Sequence, residues 1–156
     1  MQECEELEEE QELPASPRRR ARAAALQVLY AVDTSRCSPQ AALDWVGEEL
    51  GLPPRARAFS ARLVEGVLAH LEGLDQALRT YAPVFPVHQL APVDRNLLRL
   101  AIFEVTITKE TPPKAVINEA VELAKLFGSE SSPRFVNGVL GSLMEAVEPQ
   151  LKGSEA

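Results

Sequence analysis

The sequence predicts an all-α fold, a single compact domain of about seven helices. Apolar residues recur at helical spacing, most cleanly at Val116, Ala120, Leu123, Ala124 and Phe127, which fall at i, i+4, i+7, i+8 and i+11. Prolines and glycines divide the chain into helix-sized pieces from Arg18 onward. No piece shows the alternating apolar and polar pattern of a half-buried strand. At 156 residues the chain is long enough to bury one core without disulfides or metals.

The first helix runs from about Arg18 to Thr34, with Leu26, Val28, Leu29, Tyr30 and Val32 as its apolar share. Ser38 and Pro39 open a second helix carrying Ala42, Leu43, Val46 and Leu50, and Gly51 closes it. Pro53 and Pro54 start a third, with Phe59, Leu63, Val64, Val67 and Leu68. Gly73 separates it from a short helix over about Leu74 to Tyr81. The segment from Pro83 to Pro92 holds three prolines and reads as irregular.

From Asp94 to about Thr108 the apolar residues Leu97, Leu98, Leu100, Ala101, Ile102, Phe103 and Val105 cover most of the circumference, the mark of a central buried helix. Asp94 suits its N-cap, and Arg95, Arg99 and Thr106 share one polar stripe. Glu104 projects between Leu97, Leu100 and Ala101 and needs a partner, an arginine or a helix terminus in preference to a catalytic role. Pro112 and Pro113 begin the next helix, and Gly128 is placed for a left-handed C-cap. Ser132 is a candidate N-cap, with Pro133 at the first position ahead of Phe135, Val136, Val139, Leu140 and Leu143.

The net charge of −7 is concentrated in one place. Residues 1–17 hold seven glutamates and neither Lys nor Arg, so the remaining 16 acidic residues balance the chain's 16 basic ones. A run of this composition is expected to form a disordered acidic tail. Arg18, Arg19, Arg20 and Arg22 follow at once. Arginines at a helix start oppose the helix dipole, and with free backbone N–H groups they focus potential for a phosphate. From charge alone, a solvated helix start neutralised by the glutamates explains the run equally well.

Cys4 and Cys37 have no metal-like spacing, and the chain reads as a reduced cytoplasmic protein with no secretory signal and no membrane span. His70 and His88 are its two histidines, and they belong to no metal-ligand or catalytic pattern. No enzyme chemistry, catalytic residue, metal site or cofactor is expected. What periodicity leaves unexplained is a polar set: Lys114, Asn118, Lys125, Ser129, Ser131, Arg134 and Asn137. Lys114, Asn118 and Lys125 share nearly one helical face, in a strip about 16 Å long at ~1.5 Å per residue. Lysines so spaced can track a phosphate backbone, and an asparagine can read a base edge or ribose hydroxyl. Tyr30, Phe127 and Phe135 are candidate stacking surfaces, although periodicity places Phe127 and Phe135 in the core. Asn137 is alternatively a buried amide satisfied by backbone.

The segments PPKAVINEAVELAKLFG and RFVNGVL, preceded by RRRARAAALQVLYAVD, LVEGVLAHLEGLD and PVDRNLLRLAIFE, resemble the NusB family of bacterial transcription antitermination factors, from about Arg18 to Val147. The RNA-targeting domain of a bacterial rRNA cytosine methyltransferase has the same fold and similar motifs, within a much longer chain. The resemblance implies two packed helical sub-bundles in a domain over 18–148, flanked by the tail at 1–17 and a short polar tail at 149–156. It implies binding to single-stranded RNA, the boxA element of an rRNA leader, through Arg18, Arg19, Arg20, Arg22, Lys114, Asn118, Lys125, Ser129, Ser131, Arg134 and Asn137. It implies a face of Tyr81, Asp94, Arg95 and Arg99 for NusE, a small ribosomal-subunit protein, and assembly with other Nus factors on RNA polymerase. A protein-docking helical domain with an incidental arginine run is the remaining reading. Two features depart from the family pattern: the acidic tail, whose glutamates are expected to compete with RNA for the arginines, and Ser131, where family members often carry an acid.

Overall fold

Proline marks where the helices begin. In this structure, a computed structural model describing residues 16–154 and the side chains of 16–148, five helices have proline as their first residue: α1 (Pro17–Ser35), α2 (Pro39–Glu49), α3 (Pro54–Ala69), α5 (Pro92–Phe103) and α6 (Pro113–Phe127). Its missing N–H falls where no helical partner exists, and its fixed φ already suits the helix. In α7 (Ser132–Ser154) the proline comes second, at Pro133, and α4 (Leu71–Tyr81) begins without one. The described residues therefore hold seven α-helices, with a 3-10 turn at Val87–Gln89 inside the irregular segment and no strand. The acidic residues 1–15 lie outside the described part. Helix α7 runs on to Ser154, past the Glu148 boundary expected from sequence.

Three boundaries differ from expectation for physical reasons. The break between α3 and α4 falls at His70 (φ −116°, ψ 19°), whose Nδ1 lies 2.8 Å from the Gly66 carbonyl, so Gly73 sits inside α4. Gly128 is extended (φ −91°, ψ −173°) rather than left-handed. It is needed for space, because a Cβ there would lie 2.5 Å from the Ser132 side chain. That side chain turns back to accept the Ser129 N–H at 2.9 Å, and Ser132 itself already begins α7. Left-handed residues do close other elements: Gly51 (φ 58°) follows α2, Arg36 caps α1 and Lys109 caps the segment after α5.

The core is built around α5. Leu97, Leu98, Leu100, Ala101, Ile102 and Phe103 are all buried, and α5 packs against α1, α3, α4, α6 and α7. Helices α1, α2 and α3 form one sub-bundle, and α4, α6 and α7 gather about α5 in the other. Phe103 reaches α3 at Gly66, where a Cβ would come within 2.1 Å of the ring, so glycine admits the aromatic. Beyond Phe103 the helix widens into a π-helical turn, Glu104–Thr108.

Glu104 is 3% exposed, and its expected partner is Arg22 of α1. The two form a forked pair, Nε to Oε2 at 2.9 Å and Nη2 to Oε1 at 2.8 Å, and Thr111 accepts a further bond from Nη2 at 3.2 Å. Removing one partner strands a buried charge, whereas replacing both with apolar residues does not. Glu104→Ala is therefore expected to cost about 3–5 kcal/mol in urea unfolding. The double variant Arg22→Met/Glu104→Leu should recover most of that loss; a double variant as unstable as the single one would refute this assignment.

Candidate nucleic-acid interface

The four arginines at the start of α1 make four different principal contacts, because successive helical residues point about 100° apart, although Arg18 and Arg22, one turn apart, both approach the Phe59 ring. Arg18 is exposed, with its guanidinium 4.5 Å from the centre of the Phe59 ring of α3. Arg19 grips Glu119 of α6 through two bonds, Nε to Oε2 at 2.7 Å and Nη2 to Oε1 at 2.8 Å. Arg20 donates to the Leu50 carbonyl at the end of α2, where a cation also complements the helix dipole. Arg22, grouped with them by sequence, is only 5% exposed and spends its donors on Glu104 and Thr111. Among the described residues one side chain of the run is thus unpaired, two are partly used in holding helices together and one is interior.

The second polar set lies across the Arg19–Glu119 bridge. Lys114, Asn118 and Lys125 are exposed on α6, with Lys125 also 3.0 Å from Glu122 one turn back. Ser129, Ser131, Arg134 and Asn137 are exposed in the α6–α7 loop and on the first turns of α7. Asn137 is therefore a surface amide and not a buried one. Ser129 and Ser131 hydroxyls lie 3.2 Å apart. Phe127 and Phe135 are half-buried against the core, as their periodicity implies.

The structure also exposes residues that periodicity does not single out. Trp45 is 65% exposed. With Leu26, Tyr30, Cys37, Val93 and Phe127 it lines an apolar groove of about 630 Å³. Arg55 and Arg62 of α3 are exposed beside Arg18. Their seven-residue spacing around Phe59 was the available signal, but their nearness to Arg18 is purely spatial.

Tyr81 ends α4, and Asp94, Arg95 and Arg99 lie along α5. Tyr81 is half-buried, and the other three are buried. Arg95 donates to Asp33 of α1 through Nε (2.8 Å) and Nη2 (2.6 Å) and spans the carbonyls of Val87, His88 and Leu90 with Nη1. Arg99 forks onto Asp75 of α4 at 2.7 and 2.9 Å. Asp94 lies in the first turn of α5, where the dipole favours an acid, and its Oδ1 has no hydrogen-bond partner among the described residues. Arg95 and Arg99 border a polar pocket of about 500 Å³ whose exposed members include Arg79 and His88, whereas Tyr81 lines a separate pocket with Leu74, Ile102 and Leu143.

The described residues form an all-helical framework whose arginine-bearing end and polar side chains are the chemistry of a binding protein. The NusB family model matches residues 19–145. The chain belongs to the NusB family, and as such it is a transcription antitermination factor and not an enzyme. It is 48% identical over 141 residues to the transcription antitermination protein NusB of Roseiflexus sp. (strain RS-1), covering 89% of this chain and 99% of that one. Its fold is similar to that of NusB in a crystal structure of the antitermination factors NusB and NusE in complex with dsRNA (TM-score 0.77, 30% identity, 85% of this chain and 99% of that one). It is similar also to NusB of T. maritima (TM-score 0.77, 32% identity, 83% and 92%). No described helix is long and apolar enough to cross a membrane.

Two of the interhelical carboxylates titrate below their ordinary values. At Asp33, burial works to raise the pKa from 3.8, but hydrogen bonds from Arg95 and Asn96 and the charges of Arg95 and Arg99 outweigh it. At Glu119, the hydrogen bonds from Arg19 lower the pKa from 4.5 against an opposing effect of burial. Each is depressed on folding, so the unfolded chain takes up these protons first. Their stabilisation is complete above the ordinary values and disappears as pH falls through the folded-state ones. Melting temperature should accordingly drop as acid is added below about pH 4.5. Asp33→Asn should flatten part of that dependence; an unchanged pH profile would show that Asp33 titrates alike in both states.

Proposed function

We propose that this chain binds the boxA element of rRNA leader transcripts together with NusE, and that the pair joins other Nus factors on elongating RNA polymerase in the cytoplasm. The Arg19–Glu119 bridge is the observation that carries the reading, because it sets the arginine-bearing start of α1 beside the polar strip of α6. One surface then extends from Arg18, Arg19 and Arg20 to Lys114, Asn118 and Lys125, and on to Ser129, Ser131, Arg134 and Asn137. Cations along it meet phosphates and fix the register of the RNA, while the amides of Asn118 and Asn137 are placed to read bases or ribose hydroxyls. Arg22 acts on RNA only indirectly, by fixing the rotation of α1 about its axis.

NusE meets the face of Tyr81, Asp94, Arg95 and Arg99 in this reading. The ion pairs of Arg95 and Arg99 make that face rigid, and its accessible edge beside them is formed by Arg79 and His88. The occurrence of NusB with NusE and dsRNA in one crystal structure supports both partners at once.

Binding of boxA-like and scrambled single-stranded RNA across a salt series, with and without purified NusE, tests this directly. Affinity for boxA-like RNA should exceed that for the scrambled sequence, tighten with NusE, and fall with salt by about 0.7 in log K per log salt for each phosphate neutralised. Affinity indifferent to sequence, salt and NusE would leave a protein-docking domain instead. Ser131→Asp places a carboxylate beside Arg134, and it should weaken boxA binding by roughly threefold to tenfold, about 1 kcal/mol. Equal binding by the two proteins would remove Ser131 from the interface.

A further inference from the structure

We propose that the nucleic-acid surface continues from α1 onto α3, where Arg55 and Arg62 join Arg18 around Phe59 as a second phosphate-gripping arm. This rests on the RNA-binding reading and adds a contact region to it. Three guanidinium groups approach the one Phe59 ring: Arg18 at 4.5 Å, Arg22 at 5.3 Å and Arg62 at 5.7 Å from its centre. Arg22 is neutralised by Glu104, but the others are not comparably paired. Arg18 and Arg55 form no salt bridge among the described residues. The nearest carboxylate of Arg62 is Glu110 at 3.9 Å, and both side chains are more than half exposed, so that contact is worth little.

These arginines border a cleft of about 440 Å³ between α1 and α3, walled by Pro17, Ala21 and Phe59. Like charges held over a low-dielectric wall repel one another and concentrate positive potential in the cleft. An anion there relieves the repulsion, and a guanidinium offers the forked donors that phosphate oxygens accept. Arg55 and Arg62 are seven residues apart on one helix, about 10 Å at ~1.5 Å per residue. That span, with Arg18 beside it, matches a run of phosphates better than a lone ion. Continuity with Arg19 and Arg20 makes RNA the occupant favoured by position. The competing occupant is the glutamate run at residues 3–12, which ends a few residues before Arg18.

The test compares the full chain with R55Q/R62Q, both positions being exposed, on a boxA-like RNA lengthened at both ends with uridines. Matching thermal melts would show that the variant is folded. The variant should bind more weakly at low salt, and its slope of log K against log salt should be shallower by about 1.4, or about 0.7 for each lost contact. The same reduction should appear in a chain lacking residues 1–15. An unchanged slope in R55Q/R62Q would overturn the α3 arm and leave the RNA reading intact. A reduction that vanishes on deleting residues 1–15 would assign the arginines to the glutamates and overturn the proposal too. Failure of the parent chain to bind RNA at all would remove both readings together.

Discussion

The buried fork between Arg22 and Glu104 fixes the rotation of α1, and most of the proposed binding surface follows from that rotation. Side chains on a helix are separated by about 100° per residue, so turning Arg22 inward determines where Arg18, Arg19 and Arg20 point. A hydrophobic contact would tolerate some rotation, because dispersion is non-directional. Two parallel hydrogen bonds at 2.8 and 2.9 Å do not. Burying both ions is costly, and such pairs are poor sources of net stability. The fork's contribution here is orientation. It joins the first sub-bundle to the place where α5 gives way to a π turn.

Two further ion pairs hold α1 along its length. Arg19 binds Glu119 of α6 near the start, and Asp33 binds Arg95 of α5 near the end. Asp33 also accepts from Asn96, and Arg99 passes the connection on to Asp75 of α4. The same helix thereby touches both polar faces, one at each end. The strip proposed for RNA and the face proposed for NusE are both braced against this one helix, so neither needs to be assembled when a partner arrives. Preorganisation of this kind lowers the ordering entropy that association must overcome.

Much of the fold was legible in sequence because its signals are local. Proline at the first turn, Gly51 after α2 and the nearly all-round apolar pattern of α5 act within a few residues of themselves. Gly128 was located but misread, since its need for glycine comes from Ser132 crowding it in space rather than from its own φ. Gly73 misplaced a boundary because a glycine is tolerated in the first turn of α4, and His70 supplies the break. Site residues were less legible. The arginine run looks like a single anion-binding feature, yet Arg22 is spent in the interior and Arg19 and Arg20 are partly used between helices, and nothing local distinguishes Arg22 from Arg18. Arg55 and Arg62 were missed for the converse reason, since they meet Arg18 only after α1 and α3 have packed. Glu104 showed that it needed a partner without showing which arginine would supply it.

The distribution of partners also resolves an apparent contradiction in charge. A chain of net charge −7 is a poor candidate for binding a polyanion, and even without residues 1–17 its charges merely balance. Balance over the whole molecule does not mean balance at each surface. Glu104, Glu119, Asp33 and Asp75 are all engaged by arginines between helices, which takes those acids out of the exposed charge. The Debye length of about 8–10 Å at ordinary ionic strength confines what a phosphate feels to its immediate neighbours. Around Phe59 those neighbours are Arg18, Arg55 and Arg62, with Glu110 the single acid among the described residues bridged to any of them. Ion pairing in the interior thus determines which arginines remain for the surface, and a formally acidic protein keeps a basic end.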